Sequence, residues 1–157
     1  MSYVIQLVFA VIVFLFSTFS AWYEGSELRD TWWEWKYSAI FSKWQHGTVT
    51  NVSEISGFDH FIYAAKFKPL FPILMTISLL YILVVLATWL LRNHTNKLSL
   101  FFMILGLTLF VASSLTFRSP TVGLVWFTWL FLLTGISSSM VALKLRMKFT
   151  SNNQEVY

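Results

Sequence analysis

Cysteine is absent from the chain, which removes disulfides, thiolate metal sites, cysteine nucleophiles and the CxxC pair of four-helix membrane thiol oxidoreductases. Charge is scarce: 11% of the 157 residues are Asp, Glu, Lys or Arg, where soluble domains carry about 25%. The motifs that carry chemistry are missing too. There is no glycine-rich phosphate loop, no G-x-S-x-G elbow, no recognisable carboxylate pair, and no HxxxH, HExxH or ExxH pair on one helix face. His46, His60 and His94 all lie outside the long apolar runs, where a haem ligand would be held. With Glu54 and Asp59 they are the metal candidates, and a solvated or hydrogen-bonding role is the simpler assignment for each. The residues predict no metal, no cofactor and no enzyme.

What is present is apolar: 57% of residues are hydrophobic and 19% aromatic. A soluble fold of about 150 residues buries only about 70% of its unfolded surface, so most of these side chains need lipid as solvent. The net charge of +4 sits in short segments beside apolar runs, where orientation signals belong, and predicts no nucleic-acid partner.

Crossing a bilayer takes about 20 predominantly apolar residues. Four uncharged stretches meet this, at about 3–21, 70–91, 98–117 and 121–143. A cleaved signal peptide is the alternative for the first, but that stretch lacks a basic n-region and is long, and no clean A-x-A site precedes Trp22. Arg118-Ser119-Pro120 and the linker 92–97 are too short for anything but antiparallel hairpins, so the expected fold class is an all-α membrane protein, an antiparallel four-helix transmembrane bundle forming one domain over 1–157.

Both termini then share a side with Arg92, Lys97, Lys144, Arg146 and Lys148 in short segments, and with one distant acid, Glu155. The other side carries Arg118 and segment 22–68, whose five basic residues are offset by six acids. The Lys/Arg bias of short loops puts the termini in the cytoplasm and 22–68 outside the plasma membrane, although Lys66 and Lys68 pull the other way.

Segment 22–68 holds five of the eight tryptophans, and two explanations stand side by side: an interfacial aromatic belt, or a small folded cap. For a cap, Trp35, Tyr37, Ala39 and Phe41 alternate with Lys36, Ser38 and Ser42 at the period of a half-buried strand. His46-Gly47 supplies a turn and Thr48 to Ile55 a returning strand, a β-hairpin. Ser56-Gly57-Phe58-Asp59 then has the form of a helix N-terminus, followed by an apolar stripe of Phe58, Phe61, Ile62 and Ala65. This helix is expected along the outer membrane surface, with a kink at Pro69 and Pro72 leading into span two.

The order of span, strand-bearing loop, amphipathic helix and span is similar, in architecture only, to the claudin-type plan; its paired cysteines are absent, so no junction-forming role is implied. Through Ala21-Trp22-Tyr23-Glu24-Gly25-Ser26 and Glu34-Trp35-Lys36-Tyr37 the chain more closely resembles the small four-span proteins of the YjdJ-like group of Bacillus-type bacteria. That resemblance covers mainly the first half of the chain; it implies a bacterial plasma membrane and brings no activity with it.

Within the spans the only polar groups are Gln6 and a scatter of Ser and Thr, so an ion or proton pathway is not signalled. Gly135 with Ser139, and Ser138 with Ala142, have the small-xxx-small spacing of close helix packing, inside the bundle or in a homo-oligomer. The functional expectation is a non-catalytic protein in the lipid bilayer. Its outer surface (Trp32, Trp33, Trp35, Tyr37, Phe41, Trp44, Phe58 and Phe61) would contact a membrane-protein or envelope partner. Two alternatives are a small transporter or channel for a neutral or lipid-like solute, and a lipid-modifying enzyme using His60 and an acid.

Overall fold

A computed structural model describes residues 2–154, with side chains over 3–148; Glu155 of the C-terminal tail lies outside the described residues. Four long helices dominate: α1 (Ser2–Gly25), α5 (Leu70–Leu91), α6 (Thr95–Phe117) and α7 (Val122–Gln154). Between α1 and α5 lie three short helices, α2 (Trp35–Ser38), α3 (Ile40–His46) and α4 (Gly57–Phe67), with 3-10 turns at Ser26–Arg29, Trp32–Glu34 and Val52–Glu54. All four long helices are long and apolar enough to cross a membrane, and the chain is a multi-pass membrane protein. α1 and α7 run past the apolar stretches that identify them, because no Pro or Gly stops α1 before Gly25 or α7 after Leu143, whereas α5 coincides with its stretch.

Among the described residues there is no strand, so the β-hairpin expected over Trp35 to Ile55 is not formed, nor is the small sheet of the claudin-type plan. The reason is which residues turn inward. Ser38, Ala39 and Ser42 are buried and Trp35 half-buried, a helical i, i+3, i+4, i+7 set. Of the expected inner face, Trp35, Tyr37, Ala39 and Phe41, only Ala39 and Trp35 turn inward; Tyr37 and Phe41 point out. The alternation in the sequence is real, but small and hydroxyl side chains form the interior.

Contacts divide the chain into two compact units, one comprising Val8–Leu80 with Thr121–Leu124, the other Tyr81–Pro120 with the segments at the two chain ends. In the first, the loop-bearing unit, α1 buries a stripe of small residues, Ala10, Ser17, Ala21 and Gly25, and Phe16 meets Phe71 of α5 edge-on with ring centroids 6.0 Å apart. Pro72 is fully buried in the first turn of α5, where a missing N–H leaves no helical bond unmade.

In the second, the hairpin unit, α6 and α7 meet at three pairs that step seven residues along each helix in opposite directions. Ser99 Oγ donates to the Ala142 carbonyl (2.8 Å), Gly106 abuts Gly135, and Ser113 Oγ donates to the Thr128 carbonyl (3.1 Å). A seven-residue repeat of small residues is the antiparallel register that brings two backbones close. Ala87 of α5, with Leu98, Phe102 and Ala142, forms the apolar core at the other end of this pair.

Candidate functional site

The first loop is the part of the chain with built polar structure, and α4 organises it. Ser56 ends the preceding extended segment as the N-cap and accepts from Phe58 N–H at 3.3 Å, as its S-x-x-D pattern predicts. Asp59 then points away from its own helix. Fully buried, its carboxylate accepts from the backbone N–H of Phe41 (2.7 Å) and of Ser42 (2.9 Å) and from the Ser42 hydroxyl. These are orphan donors in the first turn of α3, and a carboxylate there suits the helix dipole. The Ser42 hydroxyl in turn accepts from Ser56 N–H at 2.7 Å, so the start of α4 and the start of α3 are tied through one hydroxyl.

Seven residues on, and so on the same face of α4, Lys66 reaches the other side of the elbow at Ala39. Its ammonium donates to the Tyr37 carbonyl (2.6 Å) and to Ser38 Oγ (3.1 Å), at the C-terminal end of α2. Lys43 also donates to a carbonyl of α2, that of Lys36. Anion on a helix start and cations on a helix end match the partial charges of both termini. Burial pushes the Lys66 ammonium below the ordinary lysine range against the pull of Glu34, and Lys43 adds to the lowering.

His60 completes the buried face of α4, with Tyr63 and Ala64. Its ring lies 5.5 Å from the Trp22 ring, centroid to centroid, and neither ring nitrogen has a hydrogen-bond partner among the described residues. Burial first, and the Arg29 cation second, hold the imidazole below its ordinary range, against the opposing pulls of the Trp22 carbonyl and the Asp59 charge. Gly25 of α1 makes room for this segment: a Cβ there would sit 1.9 Å from the His60 carbonyl oxygen. Gly123, at the start of α7, lies as close to α4, its virtual Cβ 2.1 Å from the Ala65 carbonyl oxygen.

Leu28, Ile55 and Tyr63 form a small apolar centre for the loop, flanked by Trp35, whose indole N–H donates to the Leu28 carbonyl at 2.9 Å. Gly47, at φ +77°, ends α3 in a tight turn closed by Thr48 N–H on the His46 carbonyl (3.1 Å). Glu54 reaches back to accept from Thr50 N–H (2.7 Å) and Asn51 N–H (3.2 Å), and these bonds hold its carboxyl below the usual range. Outside this network, Lys68 pairs with Glu27 at 2.6 Å on the exposed surface, which raises the lysine.

Of the eight aromatic residues named as a candidate surface, Trp32, Trp33, Tyr37, Phe41, Trp44 and Phe58 are exposed, Trp44 most of all at 86%. Trp35 and Phe61 are half-buried. Phe41 and Phe58 stand together with centroids 5.6 Å apart, and Trp32 and Trp33 form an edge-on pair at 5.9 Å. The apolar stripe expected of α4 is therefore not its buried face: Phe58 is exposed and Phe61, Ile62 and Ala65 half-buried, while Asp59 and His60 are inside. Of the packing candidates, Gly135, Ser138 and Ala142 are buried and Ser139 half-buried, Gly135 and Ser139 lying against Gly106. The inward roles of Asp59, Ser42 and Lys66 are what sequence reasoning missed. Asp59 does not hydrogen-bond the neighbouring His60 ring; its carboxylate accepts from Phe41 and Ser42 at the start of α3. No three metal-ligating side chains converge among the described residues.

A family model described as a domain of unknown function, DUF4306, matches residues 4–91, which take in α1, the first loop and α5. The uncharacterized protein YjdJ of Bacillus subtilis (strain 168) is 42% identical over 96 residues, 60% of this chain and 88% of that protein. No solved structure matches the chain.

Proposed function

The chain belongs to the DUF4306 family, and from that premise we propose that it is a non-catalytic membrane protein whose first loop presents a fixed aromatic surface to another membrane protein. One observation carries this: Asp59, Ser42, Ser38 and Ala39 are buried beside the loop's small centre of Leu28, Ile55 and Tyr63, while six of its large rings, Trp32, Trp33, Tyr37, Phe41, Trp44 and Phe58, are left outside. A segment folding for its own sake in water buries its rings. One that fixes its backbone with buried hydrogen bonds and leaves indoles out is prepared for contact, and exposed Trp and Tyr are the side chains that contribute most at interfaces. The family match supports the same emphasis, since it ends with α5 and so takes in the loop and the two helices that flank it.

In this proposal the four long helices form an antiparallel bundle with both termini cytoplasmic, and the loop lies at the outer membrane interface. The short links and the Lys/Arg bias support that arrangement. The hydroxyls of Ser17, Thr76, Ser78, Thr88, Thr108 and Thr134 bond to carbonyls of their own helices, which favours solid packing over a polar solute path. Affinity isolation of the tagged protein from native membranes in mild detergent tests the proposal. It predicts a stoichiometric second polypeptide, lost when Trp44 and Phe58 are both changed to Ser; recovery of the lone chain at natural abundance contradicts it.

A further inference from the structure

The pair α6 and α7 encloses a groove of about 610 Å³, walled by Phe110, Phe117, Val125, Trp129 and Leu132, with Arg118 completing the lining. The volume falls in the range of ligand sites. Its few hydroxyls are already used: Ser113 donates to the Thr128 carbonyl, Ser114 to the Val111 carbonyl at 2.7 Å, and Thr128 shares a hydrogen bond with Thr116 at 2.9 Å. The groove therefore offers carbon along its length, which suits a hydrocarbon chain and not a polar solute.

Arg118 is the residue that ends α6, so it stands where a membrane-crossing helix reaches the headgroup layer. Its guanidinium has no partner among the described residues. Nor does its own part of the chain supply one, since no Asp or Glu occurs between Asp59 and Glu155. A planar cation with five donors at the edge of an apolar groove matches a phosphate above a fatty-acyl chain.

The geometry points to a binding site for a phospholipid of net negative charge, its acyl chain in the α6–α7 groove and its phosphate on Arg118. The anionic headgroup balances the Arg118 charge, and the rings of Phe117 and Trp129 hold the first part of the chain. This site is separate from the aromatic surface of the first loop and does not depend on the role proposed for it.

The test uses the full-length protein in mixed vesicles of phosphatidylcholine and phosphatidylglycerol, with a trace of either lipid carrying a photoactivatable acyl chain. Labelled peptides are mapped by mass spectrometry. The phosphatidylglycerol probe is expected to label residues 110–132 about fivefold more than the phosphatidylcholine probe, the ratio one basic residue gives at an anionic headgroup. Arg118→Gln, an exposed and structurally mild change, brings the two probes level, and Val125→Trp, which fills the groove, lowers labelling by both. Equal labelling by the two lipids in the unaltered protein overturns the proposal, as does a preference that survives Arg118→Gln. So does absence of labelling at every protein-to-lipid ratio, the result of a second copy of the chain occupying the groove.

Discussion

Asp59 and Ser42 are joined twice, through the serine's backbone N–H (2.9 Å) and through its hydroxyl, so a carboxylate of α4 closes the first turn of α3 from across the loop. With Phe41 N–H as the third donor, the arrangement fixes two helices that are individually too short to persist in water.

Removing that acceptor leaves three buried donors without a partner. Asp59→Ala is therefore expected to destabilise the loop by about 3 kcal/mol, and Asp59→Asn by less, since the amide oxygen still accepts. Amide hydrogen exchange in detergent reads this directly. Protection at residues 40–46 should collapse in Asp59→Ala while that of α6 stays unchanged, and unchanged exchange at Phe41 and Ser42 would contradict the assignment.

Gly25 sets how closely α1 and α4 approach, whereas Gly47 has open space around it. Gly25→Ala drives a Cβ to 1.9 Å from a backbone oxygen, which no side-chain movement can relieve, and should cost about 3 kcal/mol, the upper part of the overpacking range. Gly47→Ala meets nothing within 4 Å and loses only the cost of a positive φ, about 1 kcal/mol. Denaturation midpoints in mixed micelles should fall in that order.

In the hairpin unit, a Cβ on Gly106 would lie 2.6 Å from Ser139 Oγ, a side-chain atom that can be removed. Gly106→Ala alone should cost about 2 kcal/mol, and Ser139→Ala in the same chain should recover most of it. Additive losses in the double variant would mean that the crowding lies elsewhere.

His60 gives the loop a pH dependence of defined sign. Its imidazole is held below the ordinary value of 6.5, so on acidification the unfolded loop takes up the proton before the folded one does. Stability is full above that value and is lost as pH falls through it toward the lowered folded value. Unfolding midpoints measured between about pH 7.5 and 5 should decline, and His60→Phe should abolish that part of the slope.

How much of this was legible follows from which residues carry hydropathy. The four long helices were, because uncharged runs of twenty residues permit little else. The alternation from Trp35 to Phe41 points to a strand because its aromatic members dominate the hydropathy, whereas Ser38 and Ser42, whose hydropathy is weak, join Ala39 in the interior of a helical segment. The Asp59 link joins positions 17 and 18 residues apart, which no local pattern encodes; only the S-x-x-D start of α4 pointed there, and to the wrong partner. In span four the four-residue spacing of Gly135 and Ser139 was visible. The seven-residue spacing of Ser99, Gly106 and Ser113 that faces it was equally readable, but it shows only when both helices are scanned together.

The aromatic surface of the first loop is tested most directly by photo-crosslinking in living cells. p-Benzoylphenylalanine is placed at Trp44, and for comparison at Phe19, an exposed position within the first membrane-crossing helix. A discrete, ultraviolet-dependent adduct with a second polypeptide at position 44, and only lipid adducts at 19, is the predicted result. Lipid adducts alone at both positions would contradict the account and leave the exposed indoles as an interfacial belt.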